Sequence, residues 1–242
     1  AINAGTNVTI STASPTVGAD GAGNITLETA LNFNNTGSQA ATLRLFAVNG
    51  ITQNTGATIT ATGSQLVHVD MAAEGRYMGN PAASANSSGI TLNSAITTNG
   101  DINLNGRVMT GTAYAVNITG AGTALTVADG RSINIVANTV NLSNSATLNA
   151  GTGTINIKTH STGNEILLGG SDVLTDTFST QKLGISNSEL NLITAGNLVI
   201  GDIASAGLIS VTGATTTLAS TGNIALRTGG TISVGAALTS GA

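Results

Sequence analysis

The sequence predicts an all-β chain folded as a parallel β-helix, a solenoid in which short strands wind in one direction and stack like upon like. Three observations predict it. First, one phrase recurs: a glycine, a small polar residue, then branched apolar residues alternating with polar ones. It reads Gly23-Asn24-Ile25-Thr26-Leu27, Gly100-Asp101-Ile102-Asn103-Leu104, Gly153-Thr154-Ile155-Asn156-Ile157, Gly196-Asn197-Leu198-Val199-Ile200, Gly222-Asn223-Ile224-Ala225-Leu226 and Gly230-Thr231-Ile232-Ser233-Val234. Second, strand anchors recur at a coarse interval: Leu104 to Val127 spans 23 residues, Ile135 to Ile157 spans 22 and Val211 to Val234 spans 23. Third, aromatic residues are only 2% of the chain and Trp is absent, so a core must be built from aliphatic layers, as a narrow coil requires.

The recurring phrase is a turn followed by a strand. Glycine supplies a conformation with positive φ and Asn or Asp tolerates one. The I-x-L unit that follows is a short strand with one buried face. Further strands are expected between the anchors at Ala115–Ile118, Val140–Leu142 and Thr217–Leu218. Three short strands per turn give roughly ten coils of about 22 residues, and a rod about 50 Å long. The rival architecture, an antiparallel sandwich, prefers longer strands and more aromatics. The Asn-Gly pairs at Asn49, Asn99 and Asn105 lack clean hairpin flanks.

The chain, 1–242, reads as a single solenoid with two interruptions. The stretch 74–88 holds Glu74, Arg76, Tyr77 and Met78, and reads as a loop projecting from the coil. Tyr, Met and Arg are favoured at interfaces, so these four residues are the candidate partner-binding site. The stretch 169–191 is the second insertion. Within it Ser186-Asn187-Ser188-Glu189 fits a capping box that could start one helical turn. Both ends fall in mid-pattern, at Ala1-Ile2-Asn3-Ala4-Gly5 and at Ala237 to Ala242. Exposed solenoid ends normally carry polar caps. The expectation is therefore a segment of a longer chain, or a subunit that stacks end to end.

Composition excludes several functions. The charge is −4 and the seven basic residues, Arg44, Arg76, Arg107, Arg131, Lys158, Lys182 and Arg227, are scattered, which leaves no footprint for nucleic acid. No apolar run approaches the ~20 residues of a membrane helix, so no membrane insertion is expected. With Cys 0 there is neither a disulfide nor a thiolate metal site. No phosphate-binding G-x-x-x-x-G-K-[ST] and no calcium-roll repeat occurs, so no cofactor or metal is expected.

Candidate chemistry is sparse. His68-Val69-Asp70 places a histidine and a carboxylate on one strand face, an arrangement that can serve a general base. His160 lies in a polar turn without a second histidine at ligand spacing. Asp172, Asp176 and Glu189, with Lys182 and Phe178 among them, are the acids a β-helical polysaccharide lyase or hydrolase would cluster in a groove. Threonine pairs such as Thr58-x-Thr60 and Thr175-x-Thr177 do not recur at one interval, as an ice-binding face would require.

The stretch Leu183-Gly184-Ile185-Ser186-Asn187-Ser188-Glu189-Leu190-Asn191-Leu192-Ile193-Thr194-Ala195-Gly196-Asn197-Leu198-Val199-Ile200-Gly201 resembles a repeat of filamentous-haemagglutinin-type exoproteins, the large bacterial adhesins of two-partner secretion. The units Gly222–Leu226 and Gly230–Val234 share the style. The resemblance implies a right-handed parallel β-helix, export to the bacterial cell surface and a role in adhesion or surface structure. The family's amino-terminal secretion domain is not matched. The expected function is thus a non-enzymatic, extracellular β-helical shaft of a surface fibre or adhesin. Its partners would be a host or neighbouring-cell surface, glycans, or further copies of the same protein. The alternatives are a carbohydrate-active β-helix enzyme and a filament subunit stacking end to end.

Overall fold

The computed structural model describes residues 1–12, 23–73, 76–77, 80–83, 88–108, 113–143, 145–174, 178–218 and 221–240. It is a parallel β-helix. Along most of its length each turn contributes a strand to three faces, and the pairing between turns is parallel.

The first face stacks Val8–Ser11, Ala41–Ala47, Val67–Ala73, Ile102–Gly106, Ser132–Val136, Thr154–Lys158, the second half of Ile193–Asp202, and Thr221–Thr228. The second face is split into a five-stranded part, Asn24–Leu27 to Val140–Leu142, and a four-stranded part, Leu183–Ile185 to Ile232–Val234. The third face stacks Leu31–Asn34, Ile59–Thr62, Ile96–Thr98, Ala124–Val127, Thr147–Asn149 and the first half of Ile193–Asp202. The ten-residue strand Ile193–Asp202 bends round the corner and so joins the first and third faces into one sheet.

Alternation explains the core. In Ile102–Gly106 and Ser132–Val136 every second residue is buried. The register lays Val69, Ile102, Ile133, Ile155 and Leu198 directly over one another. Each such buried side chain contributes about 1.5–3 kcal/mol relative to exposure. The aliphatic stack continues on the other faces as Ile51, Ile90 and Val116, and as Ile59, Ile96, Leu125 and Leu148.

Two expectations are corrected here. The first face has eight strands among the described residues, and the turns are uneven rather than about 22 residues long. Asn156 lies 22 residues beyond the residue it stacks on, Asn134 lies 31 beyond and Asn103 lies 33 beyond. The anchor pairs Ile135–Ile157 and Val211–Val234 are true register partners. Leu104 instead pairs with Ile135, and Val127 belongs to the third face.

The leading glycine of the recurring phrase is the second correction. Gly100, Gly153 and Gly196 do not have positive φ. They lie against the backbone of the preceding turn instead. A Cβ at Gly153 would stand 1.9 Å from the Arg131 carbonyl oxygen, and one at Gly196 would stand 2.2 Å from that of Thr152. The residue is required by close approach between turns.

Near 74–88 the backbone forms a short antiparallel hairpin, Arg76–Tyr77 against Asn80–Ala83. In 169–191 the chain leaves the second face after Ile166–Leu168 and returns as Leu183–Ile185, which pairs with the strand just left. The Ser186 capping box then starts the helical turn Asn187–Leu190. The second face thereby gains a rung that the first does not have.

Candidate functional site: an outer groove and a carboxylate wedge

The outward residues of the first face form columns, because the same register that stacks the core stacks the surface. One column runs Thr9, Arg44, Asp70, Asn103, Asn134, Asn156. Its side chains bond one another in sequence. Asn156 Nδ2 donates to Asn134 Oδ1 at 2.7 Å, Asn134 Nδ2 to Asn103 Oδ1 at 2.7 Å, and Asn103 Nδ2 to Asp70 Oδ1 at 2.6 Å. Arg44 closes the ladder on Asp70 Oδ2 at 3.1 Å. The amide dipoles all point the same way and end on the Asp70 carboxylate.

A second outward column, two residues further along each strand, runs Phe46, Ala72, Asn105, Val136, Lys158. Between the two columns lies a groove. One part, of about 530 Å³, is lined by Arg44, Phe46, Asp70, Ala72, Asn103 and Val136 among others. The next, of about 400 Å³, shares Asn134 and Val136 with it and is lined further along by Asn156, Lys158, Asp202 and Arg227. Lys158 Nζ pairs with Asp202 Oδ2 at 2.7 Å. Hydrogen bonds from Lys158 and from the Ala204 amide hold the Asp202 carboxyl below its ordinary value.

The His68–Asp70 pair does not form. Both side chains point outward, but Asp70 is engaged by Arg44 and Asn103. His68 faces Asp101 on the next turn. Its Nδ1 accepts from the Asp101 amide at 3.1 Å and lies 3.1 Å from Asp101 Oδ2.

Asp172 and Glu189 do come together, at the split in the second face. Asp172 Oδ1 accepts from the Gly184 amide at 2.8 Å, and its carboxylate also takes the Val140 amide. Glu189 Oε1 accepts from the Leu142 amide at 3.1 Å, while its Oε2 accepts from the Ser186 amide at 2.9 Å. Two carboxylates thus stand where a strand-to-strand ladder would otherwise run, and they satisfy the amides along the edge of Val140–Leu142. Burial pushes Asp172 up to about 8, with the nearby Glu189 adding to the effect and the Gly184 and Val140 amides opposing it. Tyr114 is raised as well, by burial first and then by the charges of Asp172 and Glu189.

The other candidates are placed apart from this pair. Lys182 bonds Glu165 Oε2 at 2.5 Å, and this holds Glu165 below its ordinary value. Phe178 is covered by the Arg107 guanidinium, 4.3 Å from the ring centroid, and meets His160 edge-on at 5.5 Å. Its carbonyl accepts from the side-chain amides of Asn138 and Asn164. Phe178 therefore clamps the insertion to the coil. Asp176, Thr175 and Thr177 lie outside the described residues, as do Glu74 and Met78. Arg76 and Tyr77 are placed only as backbone in the hairpin.

Sequence reasoning missed the asparagine ladder and a threonine column, Thr60–Thr97–Thr126, on the third face. Uneven turn lengths hide both from an interval search. Among the described residues no group of three or more His, Cys, Asp or Glu is placed to hold a metal, and no helix is long and apolar enough to cross a membrane. No family model, curated protein or solved structure matches the chain.

Proposed function

We propose that this chain is a non-enzymatic, rigid β-helical element, the shaft of an extracellular bacterial surface fibre or adhesin, with the outer groove of its first face as a contact surface. The observation that carries the reading is the double ladder of the first face. Aliphatic side chains stack inside in register while Arg44, Asp70, Asn103, Asn134 and Asn156 bond one another outside. Bending such a rod breaks backbone, core and side-chain ladders together. The chemistry-bearing side chains are largely engaged in holding it: His68 with Asp101, Lys182 with Glu165, and Asp172 and Glu189 with strand-edge amides. The repeat style of residues 183–234, similar to filamentous-haemagglutinin-type exoproteins, supports the surface location.

Pulling single molecules from end to end tests the shaft. The reading expects resistance to extension followed by release in increments of whole turns. Smooth extension at low force contradicts it.

One observation favours a carbohydrate-active enzyme: a raised Asp172 beside a second carboxylate is the pairing a general acid needs. Turnover of polysaccharide that disappears in both Asp172→Asn and Glu189→Gln, with the fold intact, would establish that reading in place of the shaft.

A further inference from the structure

Three of the chain's seven Lys and Arg residues, Arg44, Lys158 and Arg227, line the one groove, against two carboxylates, Asp70 and Asp202. The chain as a whole carries −4, so the groove is a strip of opposite sign. The side chains of Arg44 and Lys158 are 57% and 42% exposed although each bonds a carboxylate. A guanidinium has five N–H donors and an ammonium three, so donors remain on both.

The geometry is linear. From Arg44 to Lys158 is four turns, about 19 Å, and from Lys158 to Arg227 two more, about 10 Å, at the spacing of stacked strands. Between the cations runs the asparagine ladder. Asn103 and Asn134 each give one N–H and one lone pair to their neighbours, leaving one N–H and one lone pair apiece, and Asn156 gives the ladder one N–H. The facing wall is largely apolar, with Phe46, Ala72 and Val136.

A fitting ligand is extended over roughly 29 Å, rich in hydroxyls along one edge, apolar on one face and negatively charged at intervals. We propose that this groove binds a linear anionic polysaccharide, carboxylated or sulfated. Nucleic acid would need stacking platforms for its bases, and the groove offers one aromatic ring. A peptide bound by strand addition would need an open strand edge. Here the backbone amides of the first face are paired between turns. The proposal deepens the contact role given to the groove above and rests on it.

Fluorescence anisotropy tests it, with labelled oligogalacturonate, a labelled heparin oligosaccharide, a neutral cello-oligosaccharide, single-stranded DNA and poly-glutamate, at about 0.05 M and about 0.5 M salt. One or both anionic sugars are expected to bind more tightly at low salt, with the neutral sugar, the DNA and the poly-glutamate at least about tenfold weaker. Lys158→Gln and Arg227→Ser should each weaken binding about tenfold. Ala72→Glu, an outward substitution that adds an acid to the groove wall, should abolish it with an unchanged circular dichroism spectrum. The tighter of the two anionic sugars identifies the anion. No binding by either, equal binding of any control, or insensitivity to all three variants overturns the proposal. The extension trace of the same preparation reports on the shaft separately.

Discussion

Asp172 takes the amide of Gly184 at 2.8 Å and the amide of Val140 on its other side, so a single carboxyl group spans the split in the second face. The split exists because Leu183–Ile185 is added out of sequence order beneath Ile166–Leu168. Leu183–Ile185 and Val140–Leu142 end two separate sheets, and side chains take over the hydrogen bonding where the backbone ladder stops.

That carboxyl makes stability depend on pH in an unusual direction. Asp172 moves from an ordinary 3.8 to about 8 in the fold, so between those values the folded chain holds a proton that the unfolded chain has released. Stability therefore falls as pH rises through this window, by up to about 1.4 kcal/mol per pH unit, and levels off above it. Denaturant titrations from pH 5 to 9 should show this decline, and Asp172→Asn should flatten it. An equal slope in both proteins would remove Asp172 as its source. Glu165 and Asp202 act oppositely. Both are lowered, so their contribution is present above their ordinary values and is lost in acid as pH falls through the folded ones.

The asparagine ladder should be worth measurable stability. Asn134→Leu removes its bonds to Asn103 and from Asn156 while keeping a side chain that fits a strand. The expected loss is about 1–2 kcal/mol, read from the denaturation midpoint. Asn32→Leu, an outward change on the third face, is the comparison and should cost less. Equal effects would mean that the ladder adds nothing beyond β-propensity.

The leading glycines should be intolerant of any side chain. Gly153→Ala puts a methyl 1.9 Å from the Arg131 carbonyl oxygen, and turns pressed apart at that corner should lose about 2–3 kcal/mol. Gly163→Ala meets nothing within 4 Å and should be close to neutral. Thermal melts of the two variants provide the check, and similar melting temperatures would contradict the close-approach argument.

Strand phrases were legible because they combine glycine with period-two burial. Ile102, Ile155, Leu198 and Ile224 all fall on the first face, and Ile25 and Ile232 on the second. The register was less legible. An interval search equates Leu104 with Val127, yet insertions between faces shift the true partner to Ile135. Turn length can vary between faces without cost to the ladders, so it carries no steady period in the sequence. The groove was hidden for the same reason: Arg44, Lys158 and Arg227 are scattered along the chain, and only the stacking of turns gathers them. The capping box at Ser186 was readable because it is local, its partners lying three residues apart.

Stacking in a single direction is the claim on which the rest depends, and a chain with Cys 0 allows a direct test by cross-linking. Thr97 and Thr126 are outward-facing register partners on the third face, whereas Ala124 is displaced by two residues along the same strand. Directly stacked positions lie about 4.8 Å apart, within reach of a disulfide, and the displaced pair exceeds about 7 Å. Mild oxidation should link Thr97→Cys with Thr126→Cys within one chain, and should leave Thr97→Cys with Ala124→Cys reduced. Efficient linking of the second pair, or of neither, would contradict the parallel coil.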